Sequence, residues 1–343
     1  MDLTPAELEV AHAIAAAPAV DPMGSGTHRE VGGPPPIAAA PVRAPGGLVV
    51  YDPADLTVCV GAGTTVAELG ALLADEGQEC ALDPRDSSAT VGGTLASGLS
   101  GLRRLRVGPL RDQVLEVRFA TGDGRLVRGG GPTVKNVTGY DLPRLMVGSL
   151  GTLGVLTRVI LRCRSLPARR WWGASSEAPG VVAARCYRAS AVVWDGAVTR
   201  VLLEGNPDDV DAIATAAGLS DCSAPRLPEG PHRGRASVPA ASVESFTSSF
   251  ATFDGVRWLA EIGVGTVHVA ADTEAPLARV RGAAHDARGW MLREAGAPGL
   301  DGFGVEPANS TLMARLQAAF DPSGKLAPGR MPATRPPREG ETP

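Results

Sequence analysis

The chain has 343 residues, long enough for two domains, because single hydrophobic cores stop growing at about 250 to 300 residues. Its formal net charge of -4 gives no basic footprint for nucleic acid, and its only lysines are Lys135 and Lys325. Cys59, Cys80, Cys163, Cys186 and Cys222 are odd in number and widely spaced, with no C-x-x-C pair, which supplies no zinc or iron–sulfur ligand set and fits reduced thiols in a cytoplasmic protein.

Met1-Asp2-Leu3-Thr4-Pro5-Ala6-Glu7 is acidic, and no apolar run reaches the roughly 18 residues of a membrane span, so neither a secretory leader nor a spanning helix is expected. Residues 4–17 read as a short helix with Leu8, His12 and Ala15 near one face and Pro18 as its stop. A glycine turn follows, Met23-Gly24-Ser25-Gly26-Thr27-His28, then a loop rich in proline, glycine and alanine over 32–47. Strands are predicted over Gly47–Tyr51 and Leu56–Val60. Thr65-Val66-Ala67-Glu68 is a capping box that opens a helix with Val66, Leu69, Leu72 and Leu73 on one side.

The strand, Gly61-Ala62-Gly63 and helix imitate a dinucleotide fingerprint, but Val66 stands where its third glycine belongs, which excludes the close helix packing of a nicotinamide Rossmann domain. Gly129-Gly130-Gly131-Pro132-Thr133-Val134-Lys135-Asn136 likewise lacks the glycine before and the Ser or Thr after the lysine of a P-loop.

Two stretches dense in glycine organise the first half. Thr90-Val91-Gly92-Gly93-Thr94-Leu95-Ala96-Ser97-Gly98-Leu99-Ser100-Gly101 mixes glycines with small hydroxyl residues, so that backbone N–H groups can approach a phosphate without Cβ interference. Lys135 through Gly154, closing on Gly148-Ser149-Leu150-Gly151-Thr152-Leu153-Gly154-Val155, offers apolar walls and bare backbone for a planar ring. The two are expected to meet around one cleft. Between them Arg103, Arg104, Arg106 and Arg111 form a basic cluster, read as a solvated face, a phosphate contact or a partner contact. Val114–Ala120 alternates as a strand with one buried face, and Thr121-Gly122-Asp123-Gly124 turns it into Arg125–Arg128. Gly154–Leu161 is a further strand, giving an antiparallel sheet.

From Trp171-Trp172 the pattern changes. Strands are expected at Ala197–Glu204, Arg257–Gly263 and Thr266–Val269, and helices at Pro207–Leu219 and Leu277–Ala295, with a loop over 222–240. His268 lies on one of these strands, either as a core histidine or facing substrate. Leu312–Phe320 is an amphipathic helix ended by Asp321-Pro322, and residues 332–343 read as a disordered tail.

Val60–Leu69 and the two glycine stretches, supported by Tyr51-Asp52-Pro53-Ala54-Asp55-Leu56, Arg103-Arg104, Phe320-Asp321-Pro322 and Pro328-Gly329-Arg330-Met331, resemble the vanillyl-alcohol oxidase and p-cresol methylhydroxylase (PCMH) superfamily of FAD-binding domains. Within it they are similar to the FAD-binding subunits of bacterial glycolate oxidase complexes. The resemblance is strong over 48–166, faint over 171–300, and returns near the end. It implies an α+β fold: a two-lobed PCMH-type FAD-binding domain over 1–168, a smaller α+β cap over 169–300, and a segment 301–331 returning to the first domain. It implies FAD held by Gly24, Ser25, Gly26, Thr27, Pro84, Thr90, Val91, Gly92, Gly93, Thr94, Ser97, Gly98, Gly101, Arg104, Gly151, Gly154 and Val155, with no metal. It further implies a homologous catalytic flavoprotein and an iron–sulfur subunit as partners, a 2-hydroxy acid as substrate, and at most a peripheral place at the inner face of the membrane. The spacing around His28 is not that of family members with a covalently attached flavin. The paired histidines of the family's catalytic subunits are absent, leaving His268 the sole catalytic candidate.

Overall fold

The computed structural model describes residues 2–133, 139–307 and 309–332. Two compact units are distinguished: Met1–Ser100, Pro109–Leu166 and Glu306–Pro343 form the first, and Gly101–Gly108 with Pro167–Val305 the second. The expected role of Lys135 and its neighbours 134–138, and the expected tail from 333, lie outside the described residues.

In the first unit α1 (Pro5–Ala16) leads to the short parallel pair β1 (Val20–Pro22) and β2 (Ala40–Val42). After these come β3 (Leu48–Asp52), β4 (Thr57–Gly61), α2 (Val66–Ala74), β5 (Gln78–Glu79) and α3 (Val91–Ser97). The chain enters the second unit through α4 (Arg104–Val107) and returns for β6 (Val114–Ala120), β7 (Leu126–Gly130), α5 (Leu142–Met146), β8 (Val155–Arg162) and β9 (Arg164–Ser165). Five strands form an antiparallel sheet in the order β3-β4-β8-β6-β7. Leu69 and Leu73 of α2 and Val91 and Leu95 of α3 pack with Val58, Val117, Phe119, Val159 and Leu161 of the strands. The capping box of α2 forms as expected: Thr65 Oγ1 accepts from Glu68 N at 3.1 Å, and Glu68 Oε2 accepts from Thr65 N at 2.8 Å.

Two readings of this unit are corrected. The buried face of α1 is Glu7, Val10, Ala11 and Ile14, while Leu8 is 41% exposed. β6 is buried on both faces, Glu116 and Arg118 included. Both corrections have one cause, an ionic layer under α1. Glu7 faces the Arg158 guanidinium, Arg118 Nη1 at 4.0 Å and the Thr157 hydroxyl at 3.3 Å, and Glu116 accepts from Arg128 Nη2 at 2.7 Å. Charged residues counted as solvent-facing are therefore buried by pairing with one another.

In the second unit follow β10 (Arg169–Ser175), α6 (Pro179–Arg185), β11 (Ala191–Trp194), β12 (Thr199–Gly205), α7 (Pro207–Ala216) and β13 (Ser220–Asp221). Next come β14 (His232–Ser237), α8 (Val243–Ser248), β15 (Arg257–Glu261), β16 (Thr266–Ala271), α9 (Glu274–Asp286) and β17 (Trp290–Ala295). Eight antiparallel strands are ordered β13-β10-β12-β11-β15-β16-β14-β17, with α8 and α9 over one cluster of apolar side chains and α6 and α7 over another. Two expectations fail here. β14 runs through the stretch read as a loop, and the helix predicted to Ala295 stops at Asp286, where Arg288 at φ 59° and Gly289 reverse the chain into β17. Gly289 tolerates no Cβ there, because one would lie 2.2 Å from the Ser237 carbonyl oxygen.

The final helix, α10 (Ser310–Phe320), belongs to the first unit. Gly122 N donates to Phe320 O at 3.0 Å, the Phe119 and Phe320 rings are 5.8 Å apart, and Val20 bridges Leu326 in parallel.

Candidate cofactor site

The loop after β1, the N-terminal side of α3 and the turn before β8 converge on a cleft of about 70 Å³. Its walls are residues 21–29, Thr90, Gly93, Ala96 and Ser97, Leu150 and Gly151, and Arg330. Gly24 lets the first loop touch α3, since a Cβ on it would stand 2.2 Å from Thr90 Oγ1. Gly26, at φ 88° with open space beside it, makes the turn that directs the loop along the cleft. Thr90 Oγ1 caps α3 by accepting from Gly93 N at 3.1 Å, and Gly98 ends the helix in the left-handed region. The second glycine stretch docks on that end: Gly148 N donates to Leu95 O at 2.9 Å and Leu150 N to Ala96 O at 2.8 Å. The glycine stretches thus meet, as the sequence leads one to expect.

The distribution of peptide donors differs from the expected one. Val91 N donates to Thr64 O, Gly92 N to Ala62 O, Gly93 N to the Thr90 hydroxyl and Thr94 N to Thr90 O, all between 2.8 and 3.1 Å. Because Thr90–Ser97 is a capped helix and not an open loop, these amides are engaged within the protein. By contrast, the amides of Gly24, Ser25, Gly26 and Thr27 donate to no acceptor among the described residues, although all four residues line the cleft. The loop follows β1 directly. Around it Arg43 donates to Gly24 O, Arg29 pairs with Asp21 at 2.8 Å, and Arg330 donates to Arg29 O.

Of the seventeen positions expected to hold the cofactor, Gly24 to Thr27, Thr90, Gly93, Ser97 and Gly151 line this cleft. Ser97 Oγ donates to Thr94 O at 2.9 Å. Val91, Gly92 and Thr94 face inward: Val91 and Thr94 are fully buried, and a Cβ on Gly92 would lie 3.0 Å from Ala62 Cβ. Gly154 packs on β6, where a Cβ would meet Phe119 at 2.5 Å, and Val155 is buried with Val10, Ile14 and Val20. Pro84 and Gly98 are outside the lining, and Gly101 and Arg104 belong to the second unit. Sequence reading did not assign Arg29, Ala96, Leu150 or Arg330 to the site. Arg330 is separated from the loop by some three hundred residues and arrives through the Val20–Leu326 bridge, which no local pattern announces.

The basic cluster is not one patch. Arg103 is buried against Glu204 at 3.3 Å and Arg106 donates to Arg188 O at 2.7 Å, both within the second unit. Burial alone would raise the Glu204 carboxyl, but the neighbouring Ser190 hydroxyl, Arg170 and Arg103 outweigh it and hold the group at about 2. His268 is 1% exposed, with Nε2 2.8 Å from Glu261 Oε1 in the middle of the eight-stranded sheet. That is the core arrangement, a histidine satisfied by its neighbour, although Nδ1 has no partner among the described residues.

The residues fit a diphosphate: four unengaged amides in sequence, small hydroxyl side chains in the same lining, and a glycine at 24 where a Cβ would strike Thr90 and displace the loop. Residues 9–130 match the family described as FAD binding domain. Among curated proteins, glycolate oxidase subunit GlcE of Escherichia coli (strain K12) is 42% identical over 146 residues, 42% of each chain. The D-lactate dehydrogenase of Archaeoglobus fulgidus is 39% identical over 107 residues, 31% of this chain and 24% of that one. Glycolate oxidase subunit GlcD of Bacillus subtilis (strain 168) is 34% identical over 152 residues, 41% and 31% respectively. The matched segment thus spans less than half the length of each relative. A solved alkyldihydroxyacetonephosphate synthase superposes with a TM-score of 0.63 over 93% of this chain and 74% of that one at 14% identity, a likeness of fold. No helix among the described residues is long and apolar enough to cross a membrane.

Proposed function

We propose that the chain binds FAD and serves as the flavin-bearing subunit of a glycolate oxidase-like complex that oxidises a 2-hydroxy acid. The observation that carries this reading is the run of unengaged amides at Gly24, Ser25, Gly26 and Thr27 in a cleft that also presents Thr90 and Ser97. Backbone N–H groups in such a turn form a concave donor surface matched to a diphosphate. In this reading residues 24–27 hold the diphosphate, Thr90 and Ser97 border it, and Leu150 and Gly151 flank the cofactor from the second glycine stretch. Bound FAD supplies a two-electron acceptor to the complex.

Partner chains fit this proposal better than catalysis by the chain alone. The one histidine singled out for proton transfer, His268, is engaged with Glu261, so the acid and base for the hydroxyl group are assigned to a homologous catalytic flavoprotein, and onward electron transfer to an iron–sulfur subunit. Any membrane association is then peripheral and made through those partners. The alternatives are a stand-alone 2-hydroxy acid dehydrogenase and a scaffold that takes no cofactor.

The test uses the purified chain in two stages. FAD is titrated with flavin fluorescence as readout, and glycolate is then added anaerobically. Flavin binding without bleaching is the expected outcome. Bleaching would establish a stand-alone dehydrogenase, and failure to take up FAD at any concentration would refute the proposal in favour of a scaffold.

A further inference from the structure

A second cleft in the first unit, of about 470 Å³, shares no lining residue with the cofactor cleft. Three arginines reach it from three separate elements: Arg111 from the turn before β6, Arg144 from α5 and Arg162 from the end of β8. Two carboxylates also line it, and both are committed to the same guanidinium. Arg144 Nη2 is 3.0 Å from Asp112 Oδ1, and Arg144 Nε is 3.2 Å from Asp141 Oδ2. Asp141 is fixed further by accepting from Arg144 N at 3.1 Å as the cap of α5.

This pairing leaves Arg111 and Arg162 without a carboxylate among the described residues. Arg162 is half-buried, and its Nε is withdrawn from solvent with no acceptor among the described residues. A shielded, unmatched guanidinium donor is costly, and proteins rarely keep one without a partner for it. Tyr140, 91% exposed, adds a hydroxyl at the rim. Among the described lining residues three guanidinium groups stand against two carboxylates, an excess of one formal positive charge, and the cleft's volume lies within the range of small-molecule sites.

We propose that this cleft is a binding site for a small dianion, held by Arg111 and Arg162 while Asp112 and Asp141 keep Arg144 fixed as its wall. Guanidinium forks recognise paired oxygens in a plane, so the chemistry admits a phosphate group or a dicarboxylate. The site is separate from the flavin cleft, and its occupancy does not depend on the function proposed above.

Isothermal titration calorimetry on the full chain, without and then with FAD and with ionic strength held by chloride, tests it with inorganic phosphate and with malonate as probes. Wild type is expected to bind at least one of them at one site per chain. Phosphate alone identifies a phosphoryl ligand, malonate alone a dicarboxylate, and both a ligand read only by its paired oxygens. The Arg111→Ala/Arg162→Ala variant is expected to lose about tenfold or more in affinity with an unchanged melting curve. Arg111→Gln, at an exposed position, gives the same reading at reduced size should the double variant melt early. The proposal is overturned if neither probe binds wild type, if the variants bind as wild type does, or if FAD displaces the probe, which would put the anion in the cofactor cleft.

Discussion

Removing the Glu7 carboxylate should cost the first unit much of its stability. Glu7 is 1% exposed and faces Arg158, with Arg118 Nη1 at 4.0 Å and the Thr157 hydroxyl at 3.3 Å. At an effective dielectric near 20, opposite charges about 4 Å apart attract by roughly 4 kcal/mol. Breaking a buried pair by deleting one partner typically costs about 3 to 5 kcal/mol, because the remaining charge stays buried. Set against a net folding free energy of about 5 to 15 kcal/mol, this is a large fraction. Urea unfolding followed by far-UV circular dichroism should show Glu7→Ala destabilised by about that 3 to 5 kcal/mol. Glu7→Gln keeps the shape and removes the charge, so it isolates the ionic part. A double-mutant cycle with Arg158→Gln should return a coupling well above the ~0.5 kcal/mol error of such cycles. A Glu7→Gln variant within about 1 kcal/mol of wild type, the range of exposed ion pairs, would refute the account of α1 as ionically docked.

Gly24→Ala is expected to weaken FAD binding by about tenfold or more in a fluorescence titration, since its Cβ would be driven to 2.2 Å from Thr90 Oγ1 and displace the loop that bears the unengaged amides. Thr90→Ala should lower stability by about 1 kcal/mol through loss of the α3 cap, read as a shift in urea midpoint. Burial pushes the Cys59 and Cys163 thiols up to about 11, so neither should react with a disulfide reagent at pH 8 until urea unfolds the chain. The unfolded thiols ionise near 8.5 while the folded ones hold their protons, so stability should fall as pH rises from there through about 11, and Cys59→Ala should flatten that slope. The Glu204 carboxyl, held at about 2, adds stability that is present above its usual range near 4.3 and is lost as pH falls toward 2. Urea midpoints measured from pH 5 down to 2 should therefore drop more steeply for wild type than for Glu204→Gln.

Local signals in the sequence were dependable where the structure is local. The Thr65–Glu68 capping box, the hairpin around Gly122 and the strand at Val155 follow from short-range patterning, and all three form. The errors arise where a distant partner decides. Glu116 and Arg118 alternate with apolar residues as though facing water, yet Glu7, more than a hundred positions earlier, and Arg128 bury them. Thr90–Ser97 looks like an open phosphate loop because glycine and threonine are weak helix formers, but the acceptors Thr64 O and Ala62 O fix its first turn and engage its amides. The helix carried on to Ala295 shows the opposite failure, since only the approach of the Ser237 backbone to Gly289 forces the reversal. The composition of the two glycine stretches leads one to expect that they meet, whereas which amides stay unengaged, and the arrival of Arg330, are decided by tertiary pairing.

The parallel bridge between Val20 and Leu326 has a bearing on synthesis. The strand that carries the chain into the 24–27 loop pairs with β2 soon after it is made, but its neighbour on the other side arrives only after about three hundred further residues have been translated. A nascent chain halted near residue 166 would hold every strand of the five-membered sheet and still lack Lys325 O as acceptor for Val20 N, and the Arg330 side chain beside Arg29. A fragment cut at the apparent end of the first domain therefore lacks one flank of β1 and the Arg330 wall of the cleft.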